Sequence, residues 1–202
     1  MPYEYRRLTR EQRAELLKQR QTAGHPPHSP PHLHSDQTQY LLSAACYGHQ
    51  SHMELLERRD ALLALHKDLH AAANSELVAW VVLPNHYHLL ARAGEPSALG
   101  DIFRQVHGRL SRQWNLEDGT PGRKVWYCYS DRAIRSERHF YTTLNYIHYN
   151  PVKHGWCQSP YEWTHSSVVL YLERYGREWL QDLWTRYPVR DYGRGWDEFP
   201  ER

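Results

Sequence analysis

Two histidines, His86 and His88, flank one tyrosine in the apolar run VVLPNHYHLLAR at residues 81–92. Side chains alternate faces along a strand, so the two imidazoles project together while Tyr87 and Leu89 project to the other side. A pair placed this way can share a divalent metal through one nitrogen each; it can equally be two half-buried histidines at a sheet surface. Further along, LNYIHYNPVKHGW carries Tyr146 and Asn150 four residues apart, a spacing that on a helix directs a phenol and a carboxamide the same way. The amide supplies a hard oxygen ligand suited to magnesium or manganese, and the phenol a nucleophile that can be covalently charged with phosphate. Spacing alone leaves a second reading open, with Tyr146 a core aromatic and Asn150 the last helical residue before Pro151.

The elements that must position these groups follow from periodicity. In TQYLLSAACYG, Tyr40, Leu42, Ala44 and Cys46 share one face at period two and predict a strand. Leu55, Leu62, Leu65 and Leu69 predict a helix from about His52 to Ala73. ELVAWVVLP is a strand ending at Pro84, joined through a short Leu-Pro-Asn turn to HYHLLAR. Phe103, Val106, Leu110 and Trp114 place a second helix over 97–115, KVWYCYSDRAI reads as another strand, and SERHFYTTLNYIHYN as a helix capped by Ser136 and ending before Pro151. Apart from the last helix, this order is the β-α-β-β-α-β pattern of a split βαβ, ferredoxin- or RRM-like α+β fold: an antiparallel sheet with helices packed on one face.

This fold occupies residues 37–165. Before it, residues 1–36 combine a charged segment of helical composition with GHPPHSPPHLH (24–34), whose prolines favour an extended linker or wrapping arm. After it, 166–202 is an aromatic extension with a helix around 176–186 carrying Trp179, Leu180, Leu183 and Trp184.

A net charge of +2 is too small to argue nucleic-acid binding from the total, so the distribution must carry that argument. Residues 101–156 hold nine Lys/Arg against five acids. The chain has 8 Trp, 15 Tyr and 15 His against 3 Phe, aromatics with a polar handle that stack on bases as readily as they fill cores. Three isolated cysteines, Cys46, Cys128 and Cys157, form no CxxC pair and fit a reducing cytoplasm. With no apolar signal core at the N-terminus and no run of membrane-spanning length, a soluble intracellular protein is expected.

The motifs together resemble those of the HUH single-tyrosine transposases, most closely the REP-associated tyrosine transposases of bacteria. AWVVLPNHYHLLA (79–91) resembles the family's strand-turn-strand with its His-hydrophobic-His element. YIHYNPVKHGW (146–156) resembles its tyrosine helix and the Asn-Pro-Val turn that follows, and VWYCYSDRAIR (125–135) is similar to the aromatic strand between them. The resemblance implies that His86, His88 and Asn150 hold Mg2+ or Mn2+ and that Tyr146 is the nucleophile. The implied activity is cleavage and strand transfer on single-stranded DNA at REP-type hairpins, through a 5′-phosphotyrosine link, with an adjacent tetranucleotide read by the protein. Where relatives often carry a histidine at the tail of the aromatic strand, this chain has Arg132.

DNA contacts are expected from the basic segment: Arg104, Arg109 and Arg112 on the second helix, Arg123 and Lys124 before the next strand, Arg132 and Arg135 after it, and Lys153 beyond Tyr146. Trp126, with Tyr127 and Tyr129, is a candidate for base stacking, against a simple core-packing role. His139 and Thr143 fall on about the same helical face as Tyr146. Two other functions fit some of these residues: a domesticated hairpin-DNA-binding protein that does not cleave, and a metal hydrolase of small phosphoesters, which gives Tyr146 no reason to precede Asn150 by one turn. The expected setting is cytoplasmic and nucleoid-associated, with no membrane partner, as a monomer or a homodimer.

Overall fold

The computed structural model describes residues 38–196 together with Thr9, Glu11, Gln12, Glu15 and Lys18. Two compact units are distinguished, Gln37–Gly193 and a second made of Met1–Asp36 with Arg194–Arg202. In the second, Glu11, Gln12, Glu15 and Lys18 are helical, and Thr9 caps this turn: its Oγ1 accepts from Gln12 N–H (3.2 Å) while Gln12 Oε1 accepts from Thr9 N–H (2.9 Å). The proline- and histidine-rich stretch 24–34 lies outside the described residues.

The larger unit runs β1 (Gln39–Ala45), α1 (Leu56–Ala72), β2 (Ser75–Val82), β3 (His86–Ala93), α2 (Pro96–Glu117), β4 (Ser130–Ala133), α3 (Glu137–Lys153) and α4 (Val168–Arg186). The strands form one sheet in the order β2-β3-β1-β4, every pair antiparallel. That is the split βαβ arrangement, and its two helices lie on one face as expected. Tyr40, Leu42 and Ala44 of β1, Cys46 just after it, and Tyr87, Leu89 and Ala91 of β3 point to that face, where they pack with Leu62 of α1 and Phe103, Val106, Leu110 and Trp114 of α2. The third helix, outside the βαβ unit, covers the opposite face. There His88 meets Tyr146, and α4 packs onto α3, where the Asn145 amide donates to the carbonyls of Leu183 (3.1 Å) and Tyr187 (2.8 Å).

The core is unusually polar at one point. The Tyr87 hydroxyl lies 3.0 Å from His66 Nε2 on α1 and 2.8 Å from His107 Nε2 on α2, so it donates to one ring and accepts from the other. This bond network fixes β3 against both helices while the residues on either side of Tyr87 face away.

Several boundaries differ from the sequence reading. α3 does not stop before Pro151 but continues through it to Lys153. Pro151 lacks only the N–H that would bond Ile147, and the remaining turn closes through His154 N–H to Asn150 C=O (3.1 Å) and Trp156 N–H to Pro151 C=O (2.9 Å). Ser136 caps the other end, accepting from His139 N–H at 3.1 Å. The aromatic strand is shorter than its sequence suggests: regular pairing covers only Ser130–Ala133, with an isolated bridge from Trp126 to Cys46. α4 begins earlier, at Val168, and is divided at Gly176, whose φ of 81° lies outside the helical region. The edge of β2 is covered by the chain before α4, where Val82 N–H bonds His165 C=O (2.9 Å) and Ser167 N–H bonds Trp80 C=O (2.9 Å).

Arg58 of α1 and the end of α2 form a charged clamp. Asp118 accepts two bonds from Arg58 (2.5 and 3.1 Å) and one from Arg123 (2.7 Å). Those hydrogen bonds, Arg58's first, hold its carboxyl down at about 2. Replacing Asp118 by alanine leaves the largely buried Arg58 guanidinium with only Glu117 (3.1 Å) and the His52 carbonyl (3.2 Å) and is expected to lower stability by about 1–2 kcal/mol, read as a shift in the midpoint of urea unfolding. An unchanged midpoint would show the clamp to be dispensable.

Candidate active site

The alternation that points Tyr87 into the core turns His86 and His88 to the α3 face. Register then decides their neighbours: His88 stands opposite Ser43 on β1 and Val81 on β2. On α3, Tyr146 and Asn150 lie one turn apart on the side facing the sheet. The four expected residues meet there. Asn150 Oδ1 is 3.1 Å from His86 Nε2, and the Tyr146 hydroxyl is 3.2 Å from His88 Nε2. The imidazole rings are 5.3 Å apart between centroids.

The donor chemistry of this cluster suits a divalent cation. His86 presents Nδ1 to Asn85 Oδ1 (2.8 Å) and Nε2 to Asn150 Oδ1 (3.1 Å). A neutral imidazole has one N–H for these two acceptors, which leaves a lone pair facing a lone pair. A cation between nitrogen and oxygen resolves that conflict. The Asn150 amide nitrogen is buried with no hydrogen-bond partner, so the side chain is turned to offer its oxygen at the expense of its donors. Among the described residues no group of three or more His, Cys, Asp or Glu side chains is placed to hold a metal; the fitting set is two imidazoles and an amide oxygen, with hard-metal character supplied by the amide.

The site is enclosed. His86, His88, Tyr146 and Asn150 are each 4% exposed or less. The Tyr146 ring is covered by Tyr192 (5.5 Å between centroids) and by Gly193, and Lys153 Nζ lies 5.3 Å from its centre while donating to Gly193 C=O (3.3 Å). Tyr192 is held by a directed chain: Arg135 N–H donates to His139 Nδ1, leaving His139 Nε2–H to donate to the Tyr192 oxygen (3.0 Å). The Tyr192 proton then goes to Thr143 Oγ1 (2.5 Å), which donates to His139 C=O (2.8 Å). Burial, then Arg132 and Arg135, lowers the His139 pKa, which favours this neutral form. His139 and Thr143 thus serve Tyr192 directly.

At Gly193 the close approach to Tyr146 requires glycine. Its φ is 78°, and a Cβ would stand 2.2 Å from Tyr146 Cε2. Gly193→Ala is expected to cost about 1–3 kcal/mol through backbone strain and displacement of the ring or its cover, visible in a urea melt. Wild-type stability in the variant would contradict the contact.

The expected DNA contacts divide by face. Arg132, paired with Leu41 in the sheet, lies on the α3 side near His139 and Tyr192, whose titrations it influences. Arg135 lines an open cleft of about 390 Å³ at the start of α3, together with Arg92, Gln39, Phe140 and Tyr141. Lys153 lies over Tyr146. Lys153 and Arg132 thus flank the site, and Arg135 stands at the opposite end of α3 from Asn150. Arg104, Arg109 and Arg112 project from α2 on the other side of the sheet, with Arg104 paired to Asp101 (2.9 Å) and Arg109 to Gln105 (3.0 Å). Arg123 is committed to Asp118 and Asn115, and Lys124 sits over the Tyr47 ring (4.4 Å). Trp126 is a correction to the base-stacking expectation: it is buried, stacked on His107 at 4.4 Å and packed against Trp114. Tyr129 likewise stacks on Phe103 (4.2 Å), and Tyr127 packs at a tilt against Tyr47 (4.9 Å).

Sequence reasoning did not find Ser43, Asn85, Tyr192 or Gly193. Asn85 was legible in principle as a polar residue directly before His86; Ser43 needs the strand register, and the last two lie beyond the recognisable motifs.

Comparison with known proteins bears on this geometry. No protein-family model matches the chain. It is 30% identical over 111 residues to a REP-associated tyrosine transposase of Escherichia coli K12, covering 54% of this chain and 64% of that protein. It is 32% identical over 106 residues to a Haemophilus influenzae relative named for the same family, covering 46% of this chain and 58% of the relative. The matches thus span less than two thirds of these relatives. A solved structure of a REP-associated tyrosine transposase bound to a REP hairpin superposes with a TM-score of 0.54 at 22% identity, over 87% of this chain and 98% of that one, and shows the same fold.

Proposed function

We propose that this chain, a homologue of the REP-associated tyrosine transposases, cuts and rejoins single-stranded DNA beside REP-type hairpins through a covalent link to Tyr146. One observation carries the reading: the Tyr146 phenol and the Asn150 amide oxygen, one helical turn apart, each face a different histidine of the His86/His88 pair at 3.2 and 3.1 Å. A core tyrosine and a helix-terminal asparagine have no reason to share that arrangement.

His86, His88 and Asn150 are the residues that would hold Mg2+ or Mn2+. Bound there, the ion supplies polarisation of the scissile phosphate and neutralisation of charge developing in the in-line transition state. Tyr146 Oη attacks phosphorus while the bond from phosphorus to the 3′ oxygen breaks. The products are a 5′-phosphotyrosine ester and a free 3′-OH, the leaving oxygen having taken up a proton. A phenol with its ordinary pKa near 10 is mostly protonated at neutral pH, and Lys153 places positive charge beside the ring that must carry the phenolate. Attack of another 3′-OH on the ester reverses the step, rejoins DNA and regenerates Tyr146 without ATP. Arg132 and Arg135 would hold phosphates near the site, which orients a strand without reading its sequence. Entry of a phosphate requires the cover formed by Tyr192 and Gly193 to move.

That enclosure favours a second reading, a hairpin-DNA-binding protein that does not cleave. The two are separated by incubating the protein with end-labelled, hairpin-bearing single-stranded DNA and Mn2+ or Mg2+, with and without a chelator. Metal-dependent cleavage leaving a free 3′-OH supports the first; binding with intact DNA across a panel of hairpins supports the second. Among the described residues no helix is long and apolar enough to cross a membrane, in keeping with action on cytoplasmic or nucleoid DNA.

A further inference from the structure

The two histidines are held from behind as well as faced from in front. On β1, Ser43 is the register partner of His88, and its hydroxyl lies 2.6 Å from His88 Nδ1. In the hairpin turn, Asn85 Oδ1 lies 2.8 Å from His86 Nδ1. Asn85 is itself pinned, because its backbone carbonyl accepts from Cys46 N–H at 2.8 Å. One contact comes from a strand and the other from the hairpin turn, and both are made to the same ring nitrogen of each histidine, the one turned away from α3.

We propose that Asn85 and Ser43 are positioning residues that keep His86 and His88 in the Nδ1–H tautomer, so that both Nε2 lone pairs converge on the metal site; this rests on the reading that the site holds a divalent ion. An amide oxygen only accepts, so it selects the His86 tautomer whose proton is on Nδ1. The Ser43 hydroxyl can accept from His88 Nδ1 or donate to it; with the Tyr146 hydroxyl donating to His88 Nε2 from the other side (3.2 Å), Ser43 takes the accepting role. The tautomer that fits both outer contacts is the one that leaves both inner nitrogens without a proton. Outer partners of metal-bound histidines orient the ring and raise its basicity, and their loss typically lowers metal affinity about 10–100-fold. The pair also explains why a hydroxyl and an amide stand on the site side of the sheet among Leu41, Leu90 and Val81, which are otherwise apolar.

The test uses the full chain, titrated with Mn2+ by calorimetry, and 15N-labelled metal-free protein, in which imidazole nitrogen shifts identify each tautomer. Wild type is expected to bind Mn2+ and to show the Nδ1–H form at both His86 and His88. Asn85→Ala and Ser43→Ala are each expected to bind Mn2+ about 10–100-fold more weakly, with the tautomer population changed only at the adjacent histidine. Asn85→Asp and Ser43→Thr, which keep an acceptor in place, are expected to retain binding and the Nδ1–H form, and they keep the test decisive should an alanine variant fold poorly. Wild type that binds Mn2+ with the Nε2–H tautomer, or alanine variants that bind as wild type does, would overturn the positioning role alone. Wild type that binds no Mn2+ would overturn the metal reading of the site.

Discussion

Tyr146→Phe is expected to form no covalent adduct with DNA and to lose strand cleavage by a factor on the order of 10⁴ or more, the scale on which removal of a covalent nucleophile is felt. The substitution removes one oxygen from a ring that is otherwise unchanged in its contacts with His88, Tyr192 and Gly193. Its structural cost is the bond to His88 Nε2, about 1 kcal/mol, so the variant folds. Arg132, Arg135 and Lys153 are untouched, and hairpin binding persists. The discriminating pattern is therefore binding without chemistry. Cleavage at the wild-type rate by the phenylalanine variant would mean that another group, or water, attacks the phosphate.

Acid is expected to unfold the protein through its buried histidines, in a window well above carboxylate protonation. His148, fully buried with Nε2 3.0 Å from Ser167 Oγ, is pushed down to about 3 by desolvation. His70, buried beside Ser75, is pushed down to about 4 by the same cause. His66 is held well below its ordinary value by burial first and by its neighbours His70 and His107 second. In the unfolded chain each titrates near 6.5. A group whose folded pKa is depressed contributes stability that is complete above the unfolded pKa and is lost as pH falls towards the folded one. Each of the three removes up to about 1.4 kcal/mol per pH unit below about pH 6. Between about pH 6 and 4 three such groups remove up to about 8 kcal/mol, enough to unfold a domain in the lower half of the usual range of roughly 5–15 kcal/mol. Asp118, whose carboxyl is held at about 2, contributes stability that is present above the ordinary carboxylate value and is lost only as pH falls through about 2. The two classes are thus separated along the pH axis. Urea midpoints measured from pH 7.5 down to 4.5 should fall steeply below 6.5, and His148→Gln should flatten that slope by about one proton's worth. A midpoint constant across this range would contradict the burial of these rings.

The sequence was legible where chemistry and local periodicity coincide. The alternation around His86 and His88 told which side chains share a face, and it holds because Tyr87 and Leu89 are needed in the core on the other side. The i, i+4 relation of Tyr146 and Asn150 survived because α3 runs through both. What could not be read depends on placement between elements. Arg104, Arg109 and Arg112 are basic residues on a helix, but periodicity does not say which side of a sheet that helix covers, and α2 lies away from the site. Trp126 sits in an aromatic run whose spacing is the same for a stacking platform and for a core strand; only its contact with His107 and Trp114 decides. Ser43 becomes a partner of His88 through strand register, a relation between residues far apart in sequence. Pro151 suggested a helix end, but a proline in the last turn removes one bond that few later residues depend on. The first half of α4, rich in β-branched and tyrosine residues before Gly176, gave no helical period to follow.

The central claim is that Tyr146 itself becomes esterified to DNA. It is tested most directly by digesting the product of wild-type protein, hairpin-bearing single-stranded DNA and Mn2+, and sequencing the modified peptide by tandem mass spectrometry. The predicted result is a nucleotide joined through its 5′ phosphate to Tyr146; attachment at Tyr192 or any other residue, or no modified peptide across a panel of hairpins, would contradict it.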